Sequence, residues 1–171
     1  MEYLKLAEAY ERIEATSKRL EMADLLVELF KAVPAGEIEK VVLLTQGKLA
    51  PDFAGVELGI AEKLALKAIY EATRVSESEI NKAWLKDGDL GDVAFMAVSG
   101  RKQTALFTES LSVGMVFDSL LQISSATGSG SQELKLKLLA KLMHDSSPIE
   151  AKYIARTLSG KLRLGIADMT I

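Results

Sequence analysis

Two cations stand on alternate positions between two glycines near the end of the chain, where residues 160–165 read Gly-Lys-Leu-Arg-Leu-Gly. If this segment runs extended, its side chains alternate, so Lys161 and Arg163 share an outward face while Leu162 and Leu164 pack against the domain. Two cations presented together suit a row of phosphates. An ordinary connection between helices, with solvated basic residues, has the same local pattern.

The glycines would add backbone groups to this site. Gly160 and Gly165 leave the chain free to approach a partner closely. Gly165 leads into Ile166 and Ala167, where a helix is predicted to begin, and the free amides and dipole of a helix start favour an anion.

Part of the segment occurs a second time, 113 residues earlier. Two helices precede each copy, and after an insertion in the first copy a Leu-Gly-Ile sequence with Gly59 at its centre follows. This order predicts a repeated unit of helix, turn, helix and basic glycine loop, related by a pseudo-two-fold axis. Two such loops side by side would suit the two backbones of a duplex. The residues that match Gly160, Lys161 and Leu162 are Gly47, Lys48 and Leu49.

One position breaks the symmetry of the repeat, because Glu57 stands where the second copy has Arg163. Phosphates would repel this carboxylate. We expect Glu57 to point away from them; pairing with a base and contact with a metal ion are the alternatives.

Composition narrows the class of protein. The 171 residues are 49% hydrophobic, enough to bury one domain, or two closely packed helical lobes. The absence of cysteine and the single histidine exclude a disulfide framework and a thiolate or histidine-rich metal site. No apolar run reaches the roughly 20 residues of a membrane span, and the acidic start is unlike a signal peptide. An intracellular, cytoplasmic and nucleoid-associated protein is expected.

Charge is distributed unevenly along the chain. The net charge is −3, but residues 130–165 carry seven Lys and Arg against three carboxylates, a net charge of +4. This segment therefore predicts a basic surface on an acidic body, the polarity that orients a protein on a polyanion.

The rest of the sequence reads as helix. Apolar spacing predicts helices over 4–13, 22–33, 38–45, 60–73 and 90–98, with the 22–33 stripe in the core. A capping box at Ser76 opens another helix, and Ser112 caps one that runs to Ser125. Residues 100–111 lose the apolar periodicity and are predicted to form a loop or a poorly ordered excursion. Residues 127–131 are predicted to connect helices, with phosphate binding by their backbone amides as the alternative.

Three apparent catalytic signals are weak. Residues 144–147 read His-Asp-Ser-Ser, but adjacent residues at a helix end diverge, so they do not form a hydrolase triad. Lys86-Asp87-Gly88 lacks one position of the nucleotidyltransferase Lys-x-Asp-Gly motif. Residues 88–92 lack the lysine of a phosphate loop and are interpreted as a turn.

Taken together, the residues resemble the amino-terminal DNA-binding domain of ATP-dependent DNA ligases, in particular the archaeal ones. The resemblance covers essentially the whole chain. It rests on the order and spacing of three segments, which are 158–167, 47–60 and 88–91.

The resemblance implies an all-helical domain that grips nicked double-stranded DNA from the minor-groove side through sugar and phosphate contacts, in replication, repair and recombination. It places the contacts on residues 160–167, with Arg19 as a further basic contact. It also implies that the adenylation and OB-fold domains, which use ATP and Mg²⁺, lie outside this chain, so that the fragment is an excised domain, inactive alone. A sliding clamp is a further candidate partner, and a membrane is not one.

DNA binding is expected to be independent of sequence, because the segment offers charges and amides but no side chain placed to read base edges. If about 4 phosphates are neutralised, log affinity should fall with log salt at a slope of about −3.6. A helical scaffold that binds proteins is the alternative.

Overall fold

The described residues are 1–50, 62–101 and 110–166 of a computed structural model, and within them the chain is all-α, as predicted, with no strand. None of the helices in this part of the chain has the length and apolar character that crossing a bilayer requires. The helices are α1 (Tyr3–Glu14), α2 (Arg19–Ala32), α3 (Ile38–Thr45), α4 (Glu62–Thr73), α5 (Glu77–Asp87), α6 (Leu90–Gly100), α7 (Val113–Ser125), α8 (Ser131–Asp145) and α9 (Pro148–Leu158), with a short 3-10 turn (Ala35–Glu37) before α3.

Several helices begin where capping residues predict. Ser76 and Glu79 form the expected capping box of α5, each side chain bonding the other residue's backbone amide. The Ser112 hydroxyl accepts from the amide of Met115 and caps α7. The helices predicted over 4–13, 38–45 and 90–98 are confirmed as α1, α3 and α6. Most of the segment 100–111 lies outside the described residues.

Helix α2 is less buried than its apolar stripe predicts. Only Leu26 and Leu29 are fully buried, while Met22, Leu25 and Phe30 are partly buried against the core. The structural reason is that α2 packs mainly on α1 and so lies at the edge of the domain.

Residues 126–130 connect α7 to α8, so the connection predicted over 127–131 is confirmed except at Ser131, which begins α8. The start of α9 carries a second capping box that the sequence interpretation missed. Ser147 caps this helix, Pro148 occupies its first turn, and Glu150 bonds back to the Ser147 amide.

The segment His144-Asp145-Ser146-Ser147 is not a triad, as expected, although its first two side chains do meet. His144 Nδ1 lies 3.0 Å from the Asp145 carboxylate, so the expectation that they diverge is wrong. The Ser146 hydroxyl donates to the carbonyl of Leu142, and Ser147 serves the capping box. Both hydroxyls therefore have structural roles.

Helix α9 is the central element of the fold. Every residue from Glu150 to Leu158 is buried, and the helix packs chiefly on α6 and on α1. The approach to α6 is close because Gly91 has no side chain: a Cβ there would lie 2.6 Å from Arg156 Cγ and 2.8 Å from the carbonyl oxygen of Lys152.

Burial of α9 on all sides requires that its charges be paired. Lys152 Nζ lies 2.7 Å from Glu11 and 3.2 Å from Glu14. Arg156 donates to Glu14 at 2.7 Å and to Asp89 at 3.0 Å. These pairs join the carboxylates of α1 and of the start of α6 to the central helix.

Candidate functional site

The glycine loop, which comprises residues 160–165, begins where α9 ends. Gly160 takes a left-handed backbone, with φ +66, and its amide donates to the Thr157 carbonyl. The Lys161 amide donates to the carbonyl of Arg156 at 3.1 Å. This pair of bonds is the Schellman motif, which satisfies the last carbonyls of a helix and turns the chain away from its axis.

The first copy of the repeat ends α3 in the same way. Gly47 has φ +70 and donates to the Leu44 carbonyl at 2.9 Å, and the Lys48 amide donates to the Leu43 carbonyl at 2.8 Å. Leu49 is buried, as its counterpart in the second copy is. The Gly-Lys-Leu match in sequence therefore reflects one turn geometry used twice. The pseudo-two-fold axis stays a prediction.

The two turns are neighbours in space. A methyl group placed on Gly47 would stand 3.9 Å from the Cβ of Leu162. Glu57 and Gly59, which belong to the rest of the first loop, lie outside the described residues, as does Ala167.

Side chains alternate along the second loop. Lys161 and Arg163 are exposed, while Leu162 and Leu164 are buried at 8% and 4% exposure. The expected extended backbone is not present, because φ is positive at Gly160 and also at Arg163, where it is +59. The buried leucines, not a regular strand, produce the alternation.

The far end of the loop reaches α2. Gly165 has φ +69, and a Cβ on it would lie 3.4 Å from Met22 Cε in the first turn of that helix. Arg19 begins the same turn and is exposed. Ile166 is partly buried against the core. The described part of the predicted site thus places a third basic residue in the helical turn beside the loop.

Arg163 does not project freely into solvent. Its Nη1 lies 3.3 Å from Oδ2 of Asp89, and 49% of its side chain is exposed. Arg163 therefore faces outward but also pairs with a carboxylate that the sequence interpretation treated as part of a turn.

Asp89 is the residue that connects the loop to the interior. It caps α6 by accepting from the amides of Gly91 and Asp92, and only 3% of its side chain is exposed. Burial by itself would raise the pKa of Asp89, but hydrogen bonds from Arg156 and the charge of that guanidinium outweigh burial and lower it. Asp89 is therefore an ionised, internal anchor.

Sequence reasoning missed Asp89 and Arg156, although a signal was present. The turn interpreted over residues 88–92 is shorter in the structure, because only Gly88, left-handed at the end of α5, and the capping residue Asp89 precede α6, which begins at Leu90. An aspartate at a helix start, followed two residues later by a glycine inside the helix, marks both a cap and a close helix contact. Its partner Arg156 is 67 residues away along the chain.

The net charge of +4 over residues 130–165 overstates the basic surface. Lys152 and Arg156 are buried in ion pairs of the interior, since their exposed fractions are 9% and 4%. In the part of the chain that the structure describes, no group of three or more acidic or histidine side chains has the arrangement of a metal site.

The fold and site define an all-α domain with a cationic surface loop that begins in a glycine turn, next to a second glycine turn of the same geometry. A sequence model described as DNA ligase N terminus matches residues 2–171. The chain belongs to this family.

Archaeal relatives of the chain are named DNA ligases. It is 45% identical to DNA ligase 2 of Korarchaeum cryptofilum and 44% identical to the DNA ligase of Nitrosopumilus maritimus, each over all of this chain. It is 48% identical to DNA ligase 2 of Thermofilum pendens over 99% of its residues. The chain spans 29% of the length of each of these relatives.

Proposed function

We propose that the chain is the DNA-binding domain of an ATP-dependent DNA ligase, and that it holds nicked duplex DNA through sugar and phosphate contacts on the minor-groove side. The observation that carries the proposal is the pair of adjacent glycine turns, with Lys161 and Arg163 exposed on one of them. A duplex offers two lines of phosphates to the cations that the neighbouring turns carry.

Both cationic groups of the loop, a guanidinium and an ammonium, bind phosphate well. A guanidinium binds phosphate oxygens with a planar fork, and an ammonium binds them as a point charge. Leu162 and Leu164 are buried beside these cations. They anchor the loop to the domain while its charges stay at the surface. Binding independent of base sequence follows from such contacts.

The wider role is proposed from the relatives. Each is named a DNA ligase and is more than three times as long as this chain, as the 29% coverage implies. In this proposal, adenylation and OB-fold domains outside the chain close around the DNA, and ATP and Mg²⁺ act there. The described residues do not fit a metal. They also give no support to a sliding clamp, which stays an expectation.

The test is titration of a short nicked duplex at low salt into the wild type and the double variant Lys161→Ala, Arg163→Ala. Loss of two phosphate contacts should weaken binding at least tenfold and make the log-log salt slope less negative by about 1.8. Different duplex sequences should bind alike.

A matched control is the double variant Lys31→Ala, Arg74→Ala. Both residues are exposed, Arg74 shares the left-handed backbone of Arg163, and Lys31 lies at the far end of α2 from Arg19, about 18 Å along the helix. This variant loses the same charge but should bind like the wild type. If all three proteins bind DNA equally, the loop does not contact DNA. That result would favour the alternative function, a helical scaffold that binds proteins.

A further inference from the structure

The backbone at Arg163 has a conformation that L-residues rarely adopt, with φ +59. Glycine is the residue expected there, and the loop already uses glycine at its two other left-handed positions, 160 and 165. The flanking residues Leu162 and Leu164 are buried and hold the backbone on both sides. A left-handed backbone at a charged, half-exposed residue points to a use for its side chain.

The Arg163 side chain lies over an acidic internal cluster. Asp89 faces its Nη1 at 3.3 Å and is itself held by Arg156 through two nitrogens, at 3.3 Å on Oδ1 and 3.0 Å on Oδ2. The amides of Gly91 and Asp92 fix the same carboxylate from the helix start. Asp89 is therefore rigidly placed, and it is too buried to touch a nucleic acid.

The contact to Asp89 leaves most of the guanidinium available. Arginine carries five N–H donors in a planar fork, and the ion pair uses one edge of it. Half of the side chain stays exposed. A phosphate can therefore bind the outer edge while Asp89 keeps the inner edge.

We propose that Asp89 is a positioning residue for DNA binding, which holds the Arg163 guanidinium toward the phosphate before the nucleic acid arrives. The inference rests on the proposed function. Without Asp89, Arg163 would be ordered only when DNA binds, and the lost freedom of one long side chain would weaken binding roughly threefold to tenfold.

The test is a double-mutant cycle between Asp89→Asn and Arg163→Ala, with nicked duplex as the probe. Asparagine keeps the shape and an oxygen for the Gly91 amide but loses the charge that attracts Arg163. Asp89→Asn should weaken binding by about threefold to tenfold alone, and by less than about twofold when Arg163 is already alanine. Equal losses in the two backgrounds would show a merely structural role and overturn the proposal.

Asp92→Asn is the matched control. Asp92 also pairs with Arg156, at 3.4 Å, so this variant disturbs the same buried guanidinium. It should leave affinity unchanged. A loss equal to that of Asp89→Asn would contradict the proposal, since both effects would then come from Arg156.

If Asp89→Asn does not fold, the variant Arg163→Lys tests the proposal instead, because it leaves the internal cluster around Asp89 intact. An ammonium is a point charge on a flexible stem and lacks the planar fork that faces Asp89 with one edge and a phosphate with the other, so affinity should fall several-fold at an unchanged salt slope. Binding equal to the wild type would overturn the inference. The proposed function fails separately, if the Lys161→Ala, Arg163→Ala variant binds DNA normally.

Discussion

Arg163 and Arg74 have nearly the same left-handed backbone, at φ +59 and +61. Such a conformation costs an L-residue about 1–2 kcal/mol, and glycine avoids it at some cost in entropy. Arg74 is exposed just after α4. We therefore predict that Arg74→Gly raises the free energy of unfolding by about 0.5–1 kcal/mol and leaves DNA affinity unchanged. Urea denaturation and duplex titration measure the two quantities.

Arg163→Gly should behave differently, although it relieves the same strain. It also removes the ion pair with Asp89, which contributes up to about 1 kcal/mol at a half-exposed site. The net gain in stability should be smaller than for Arg74→Gly, with a clear loss of DNA affinity. A stability gain equal to that of Arg74→Gly would mean that the pair with Asp89 does not stabilise the loop.

At this scale the sequence predicts part of the site. The alternation of Lys161 and Arg163 with buried leucines follows from residue types at period two. The left-handed backbone at Arg163 does not follow from the residue type, because arginine has no preference for that conformation. The pair with Asp89 joins residues far apart in sequence, so only the fold brings them together.

Helix ends give the two halves of the repeat their common geometry. A helix that ends in glycine tends to finish in a Schellman motif, and Gly47 and Gly160 both do so. Capping residues likewise made the starts of α5 and α7 predictable. The burial of α2 was not predictable, because an apolar stripe shows which face is covered but not how completely its neighbours cover it.

Contact between α6 and α9 depends on the missing side chain of Gly91. A Cβ there would lie 2.8 Å from a backbone oxygen of α9, which cannot move without the helix. Gly91→Ala should therefore lower the free energy of unfolding by about 1–3 kcal/mol, as overpacked sites do. Urea denaturation should show this loss, while the slope of the free energy of unfolding against urea concentration stays unaltered.

Gly100→Ala is the control for that substitution, since it lies in the same helix with open space around it. Alanine should be neutral or stabilise by a few tenths of a kcal/mol there. If Gly91→Ala were as harmless as Gly100→Ala, the close approach of α6 to α9 would not be needed for stability.

For the whole molecule, the charge count over residues 130–165 includes two cations that do not lie on the surface. Lys152 and Arg156 belong to the interior, where they pair with Glu11, Glu14 and Asp89. They follow the same helical pattern as surface cations do, so no local feature separates the two groups. The basic surface of the domain is therefore smaller, and its internal ion pairs are more numerous, than the sequence indicates.

These internal pairs predict how the domain responds to acid. Burial alone would raise the pKa of Glu14, but hydrogen bonds from Tyr153 and Arg156 outweigh it, so that this pKa, like that of Asp89, is lowered. A carboxylate with a lowered folded pKa stabilises the fold above its unfolded pKa, and the contribution is lost as the pH falls. Asp92, whose pKa is raised by burial and by Asp89, acts in the opposite sense.

Stability should therefore fall as the pH drops below the ordinary values of 4.5 for Glu14 and 3.8 for Asp89. Glu14→Gln should flatten this dependence, because its side chain no longer titrates, and urea denaturation at several pH values measures it. Glu28→Gln is the control, since Glu28 also pairs with an arginine, Arg12, but at the solvated surface, where such pairs contribute little. Equal flattening by both variants would show that surface and internal pairs contribute alike to acid stability, which the burial of α9 argues against.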